Sequence, residues 1–100
     1  MKVHVYGQDG CPRCVQVKER VKALSFFTLV EHNLKAHLDG HENWRTVEDI
    51  ELAVHCYSTY EDGDIPVPLT RFEAHPETKF YEFAETMSLL GRELDAQATR

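Results

Sequence analysis

A short strand that runs directly into a Cys-Pro-Arg-Cys at the head of a helix constrains this chain more than any other feature. Val3-His4-Val5-Tyr6 is β-branched and aromatic, and Gly7 to Gly10 punctuate its end, so it reads as strand and then loop. Cys11 to Leu24 reads as a helix. Pro12 falls at the first helical position, where its missing N–H is tolerated. Cys14, Val17, Val21 and Leu24 recur at helical spacing, and the basic residues Lys18, Arg20 and Lys22 read as a solvated face. Phe26 to Val30 or beyond is the next strand. Two strands around a helix within about thirty residues form a βαβ unit, whose strands run parallel through a right-handed crossover.

The rest of the chain adds less regular signals. Leu34 to Arg45 is largely polar, with His37, His41 and Asn43, and reads as a long loop. Thr46 reads as an N-cap, with Glu48 and Asp49 in the first turn behind it. Val47, Ile50, Val54 and Tyr57 supply the apolar stripe of a second helix. After a turn-rich Ser58 to Ile65 comes Pro66-Val67-Pro68. Leu69 to Phe72 and Lys79 to Phe83 read as strands joined by a hairpin loop, Glu73 to Thr78. Ala84 to Gln97 is a final helix with Met87, Leu90 and Leu94 on one face, and Gly91 weakens it without breaking it. The order βαβαββα implies an α/β fold with a four-stranded mixed sheet and helices on both faces.

One hundred residues, without a repeat or linker, fit one domain spanning 1–100. Eleven Lys and Arg against 17 Asp and Glu give a net charge of −6, which argues against nucleic acid as a partner. No apolar run approaches a membrane span, and the N-terminus reads as a strand rather than a signal peptide, so a cytoplasmic monomer is the expectation. Three cysteines, one of them left over, do not resemble an extracellular disulfide framework.

Cys-x-x-Cys after a strand and at a helix start is a redox signature with a mechanism. Cys11 at the helix N-terminus meets unpaired backbone N–H groups and the positive end of the dipole, both of which favour a thiolate. Cys14 lies three residues on, on the same side of the helix. Zinc is the competing use of such a pair, and it needs four ligands. The other candidates, His55-Cys56, His37 and His41, lack zinc-finger spacing, so no metal is expected. Val67-Pro68 stands before an apolar strand, where proline cannot donate to the ladder and must sit at the strand's start or edge.

These residues resemble the glutaredoxin family. Val3-His4-Val5-Tyr6-Gly7-Gln8-Asp9-Gly10-Cys11-Pro12-Arg13-Cys14 is similar to that family's strand ending in Tyr and followed by Cys-Pro-x-Cys, and Val67-Pro68 is similar to its Val-Pro before the third strand. The resemblance implies a thioredoxin fold and a thiol–disulfide oxidoreductase, with Cys11 the exposed nucleophile and Cys14 the resolving cysteine. It implies that Tyr6, Pro12, Arg13, Val67 and Pro68 line the substrate site, with Val67 offering its backbone to the substrate and a cis Pro68 facing the cysteines. Glutaredoxins that use glutathione carry a Lys where this chain has Gln8, followed here by Asp9. Where they carry a glycine turn after the fourth strand, this chain has Phe83-Ala84-Glu85-Thr86. Losing a cation and gaining carboxylates weakens binding of an anion such as glutathione. The pattern is closest to the redoxins of bacteria and their phages that pass electrons to ribonucleotide reductase. These implied roles need no bound cofactor; the reductant is glutathione or thioredoxin reductase, and the substrate a protein disulfide. The alternatives are a zinc-binding or adaptor module of the same fold.

Arg13 between the cysteines reads as a charge that tunes the thiolate and partner choice. Cys56 reads as a packing residue, Trp44 as either a substrate-facing aromatic or a cap on the core edge, and His4 as a strand residue with a satisfied ring.

Overall fold

A computed structural model of the chain describes residues 1–40, 44–61, 64–73 and 79–98, with side chains through residue 92. Strand β1 (Lys2–Gly7) leads through helix α1 (Pro12–Ala23) into β2 (Thr28–Asn33), as the alternating and then helical patterns require. Helices α2 (Leu34–Asp39) and α3 (Val47–Thr59) follow, then β3 (Leu69–Phe72) and α4 (Phe83–Ala98).

The described strands form one mixed sheet in the order β2-β1-β3. β1 pairs in parallel with β2, Val3 opposite Leu29 and Tyr6 opposite His32, and α1 is the crossover between them. β3 runs antiparallel on the other side of β1, with Val3 opposite Phe72 and Tyr6 opposite Leu69. Alternation along β1 sends Val3 and Val5 to one face and His4 and Tyr6 to the other. On the first face Val3, Val5 and Phe72 pack with Val17, Val21 and Leu24 of α1 and its end and with Leu90 of α4. On the second, Tyr6 and Leu69 pack with Leu34 of α2 and Leu52 and Cys56 of α3. Each fully buried aliphatic side chain there contributes about 1.5–3 kcal/mol by leaving water.

The chain is thus mixed α/β with helices on both faces of the sheet, and four features differ from the sequence reading. The fourth strand is reduced to a single antiparallel bridge: Thr70 and Tyr81 exchange backbone hydrogen bonds of 2.9 and 2.8 Å. The chain enters α4 at Phe83, leaving no length for a ladder. The loop read at Leu34 to Arg45 begins with a helix, because Asn33 caps it by accepting from Ala36 N–H at 2.9 Å and Leu34 buries itself in the second cluster. The second strand starts at Thr28 rather than Phe26, after Phe27 N–H bonds back to Leu24 O at 3.0 Å. The stripe Val47, Ile50, Val54 and Tyr57 faces outward, and α3 instead buries Leu52, Ala53 and Cys56. The helix carries two apolar faces, and the one with Leu52, Ala53 and Cys56 is the one covered. The proposed hairpin residues 74–78 lie outside the described residues, as does His41.

Helix α3 begins as read. Thr46 Oγ1 accepts from Asp49 N–H at 3.1 Å, and Asp49 Oδ2 accepts from Thr46 N–H at 3.0 Å, a reciprocal capping box. Burial works to raise the Asp49 carboxyl, but the N–H groups of Arg45 and Thr46 and the Thr46 hydroxyl outweigh it and hold it below the ordinary range. No helix among the described residues is long and apolar enough to cross a membrane.

Candidate active site

The site is assembled where β1 ends and α1 begins. Gly10, at φ 71°, turns the chain with a left-handed backbone that suits glycine and brings Cys11 to the helix head. Cys11 is the N-cap of α1, the place usually held by Ser, Thr, Asp or Asn. Its sulfur does the oxygen's work, accepting from the Cys14 N–H at 3.2 Å. Pro12 fills the first helical position and is exposed.

From the far end of the chain, residue 67 completes the geometry. The Cys11 thiol donates to the carbonyl of Val67 at 3.9 Å, a contact across 56 residues of sequence. The Val67–Pro68 peptide bond is cis and Pro68 is fully buried at the head of β3, so the sheet carries this carbonyl to the cysteine. Cys11 itself is 8% exposed, nearer the surface than Cys14 at 1%.

Cys14 lies deeper and is held on several sides. Burial, and then the hydrogen bond to Cys11, push its thiol up to about 11, against the opposing pull of the Gln8 N–H and the charge of Lys18. The end of β1 leaves it barely enough room. A Cβ on Gly7 would stand 2.8 Å from Cys14 Sγ and 3.3 Å from its Cβ, so glycine is the residue that admits the sulfur. Cys11, Cys14 and Cys56 are all free thiols.

Of the other residues read as site residues, Val67 lies beside Cys11 through its carbonyl, and Pro68 follows it at the buried head of β3. Arg13 is exposed, its guanidinium 5.5 Å from the centre of the Phe83 ring on α4. Tyr6 is a core residue at 1% exposure, its ring stacked on His32 at 4.5 Å and edge-on to Phe80, so it presents no surface to a substrate. Gln8 and Val67 share a hollow of about 340 Å³ with Lys35, Leu38 and Tyr57, whereas Glu85 lines a different one beside α3. Trp44 caps the core edge: its Nε1 donates to His37 O at 2.7 Å and its ring lies along that of His37.

His55 and Cys56 sit on α3, and among the described residues no three His, Cys, Asp or Glu side chains are grouped to hold a metal ion. Cys56 is enclosed in the second cluster, and burial pushes its thiol up to about 11.

Two features were not read from the sequence. Lys18 is not merely solvated: its Nζ pairs with Glu31 of β2 at 3.1 Å, and its charge faces Cys14. A file of polar rings also crosses the second face of the sheet. Glu73 Oε1 meets His4 Nε2 at 2.9 Å, and His4 Nδ1 meets His32 Nε2 at 2.9 Å. Burial first, then His4, His37 and Arg71, lower His32 to about 4. His4 is therefore satisfied on both nitrogens, but its partners depend on strand register, which sequence spacing does not reveal.

No protein-family model, curated protein or solved structure matches the chain.

Proposed function

We propose that the chain is a glutaredoxin-like thiol–disulfide oxidoreductase of the thioredoxin fold that reduces protein disulfides through Cys11 and Cys14. The observation that carries this reading is the Cys11 sulfur: it caps a helix, accepts a backbone N–H at 3.2 Å, and lies 3.9 Å from the carbonyl that precedes Pro68. A thiolate at that place meets the helix N-terminus, where backbone N–H groups point at an anion.

The chemistry proceeds in two exchanges. Cys11, as thiolate, attacks one sulfur of a substrate disulfide. That S–S bond breaks, a mixed disulfide forms, and the first substrate sulfur leaves as a thiolate and takes a proton. Cys14 then attacks Cys11 Sγ, its proton passing to the second substrate sulfur as it departs. The substrate ends as two thiols and the protein as a Cys11–Cys14 disulfide, which an external reductant returns to the dithiol. The raised Cys14 keeps its proton until the mixed disulfide forms, which separates nucleophile from resolving thiol.

The substrate is a protein, ribonucleotide reductase being the candidate that the resemblance suggests. Gln8, which stands where glutathione-using members of that family carry a Lys, and the acidic Asp9 that follows it favour thioredoxin reductase over glutathione as the source of electrons. Insulin reduction by the purified protein tests the activity, and it is lost in Cys11→Ser. Recycling assays with glutathione and with thioredoxin reductase test the reductant. Rapid turnover on glutathione alone overturns the second choice and leaves the first standing.

A further inference from the structure

Four apolar side chains on α3 face outward: Val47 is 65% exposed, Ile50 49%, Val54 60% and Tyr57 63%. Their spacing of three, four and three residues sets them on one side of the helix, so they form one ridge. Isolated exposed apolar residues are ordinary, whereas a contiguous row marks a surface that another molecule covers. The ridge borders a hollow of about 550 Å³ between α3 and the segment leading into α4, walled by Ile50, Val54, Phe80, Tyr81, Glu51 and Glu85. A helix laid along the ridge would press its own apolar side chains into that hollow.

The charge around the ridge specifies its partner. α3 contains Glu48, Asp49 and Glu51 and no Lys or Arg. Asp49 is engaged at the N-cap, but Glu51 and Glu85 stand exposed at the hollow, and the charges of Glu82 and Glu85 reach Tyr60 at the end of α3. Lys79 is the Lys or Arg among the described residues lining the hollow. His55 lines it too, its ring packed near those of Tyr60 and Phe80. A second copy of this chain, at net charge −6, would bring like carboxylates against these.

We propose that the α3 ridge docks a partner-protein segment that is both apolar and basic, an amphipathic helix with Lys or Arg beside its apolar edge. The inference goes beyond the redox reading and stands without it, since no cysteine takes part.

The test titrates the whole reduced protein, isotopically labelled for NMR, with a helical Leu–Lys peptide of about 15 residues whose leucines recur at helical spacing. Saturable binding is expected, with amide shifts centred on α3 and residues 79–85. The double variant Ile50→Ser, Val54→Ser changes only exposed residues, and it should bind about tenfold or more weakly, as should Val54→Lys, which sets a like charge against the peptide. Insulin reduction should be unchanged in both, so a failure of docking and a failure of the redox reading remain distinguishable. Equal affinity for wild type and these variants overturns the proposal, as does equal binding of a Leu–Glu peptide of the same spacing. A concentration-dependent dimer that the double variant abolishes also overturns it, because it assigns the ridge to a second copy.

Discussion

Cys11 and Cys56 are both mostly enclosed, yet their surroundings differ in kind. Cys56 lies among Tyr6, Leu34, Leu52 and Leu69, and burial is what pushes its thiol up to about 11. Cys11 has a backbone N–H on one side, a carbonyl on the other and the head of a helix beneath it. Enclosure alone makes a cysteine a small hydrophobe, whereas a backbone N–H and a helix head beside a sulfur suit it to a thiolate. Cys14 falls between the two, buried like Cys56 but bonded to Cys11 and facing Lys18.

The contrast breaks most visibly by mutation. Cys11→Ser should lower insulin reduction by on the order of a thousandfold or more, as removal of a nucleophile does, while Cys56→Ala stays within about twofold of wild type. Comparable losses in the two variants would erase the distinction. Cys14→Ser should leave the first exchange intact and stall the second, so a mixed disulfide accumulates that mass spectrometry detects on Cys11. Absence of that adduct would remove the resolving role from Cys14.

Smaller effects sharpen the picture. Gly7→Ala sets a methyl 2.8 Å from Cys14 Sγ. Overpacking of this kind costs about 1–3 kcal/mol, and the displaced sulfur should slow resolution of the mixed disulfide more than its formation. Stopped-flow separation of the two steps checks this. Cys56→Ala should lower stability by about 1 kcal/mol in chemical denaturation, through packing alone. Away from the cysteines, His32 supplies a pH dependence. Its folded value of about 4 lies below the ordinary 6.5, so as pH falls through that window the unfolded chain takes up the proton first. Stability should therefore fall from pH 6.5 toward 4, with a shallower decline in His32→Phe.

Legibility in the sequence followed the range of the interactions. Helix α1 and the Thr46 cap were readable because a proline at the first helical position and an N-cap threonine act within one turn. The apolar stripe of α3 is not its buried face: Val47, Ile50, Val54 and Tyr57 match helical spacing as well as Leu52, Ala53 and Cys56 do, and it is the latter that are covered. Periodicity shows that faces exist, and only the tertiary partner decides which one is covered. Lys79 to Phe83 has strand composition, but the onset of α4 at Phe83 leaves it one bridge to Thr70. In the site, the cysteine pair was legible as a local motif. The room that Gly7 gives Cys14, the charge of Lys18 and the Glu73–His4–His32 file arise where separate elements meet, and no local pattern announces them.

The most direct test of the central claim is peptide mapping of the protein after mild oxidation, with alkylation before and after unfolding. The account predicts loss of two hydrogens, a bond linking Cys11 to Cys14 that dithiothreitol reverses, and a Cys56 thiol that reacts only once the chain is unfolded. Three free thiols after oxidation, or a bond that includes Cys56, would contradict it.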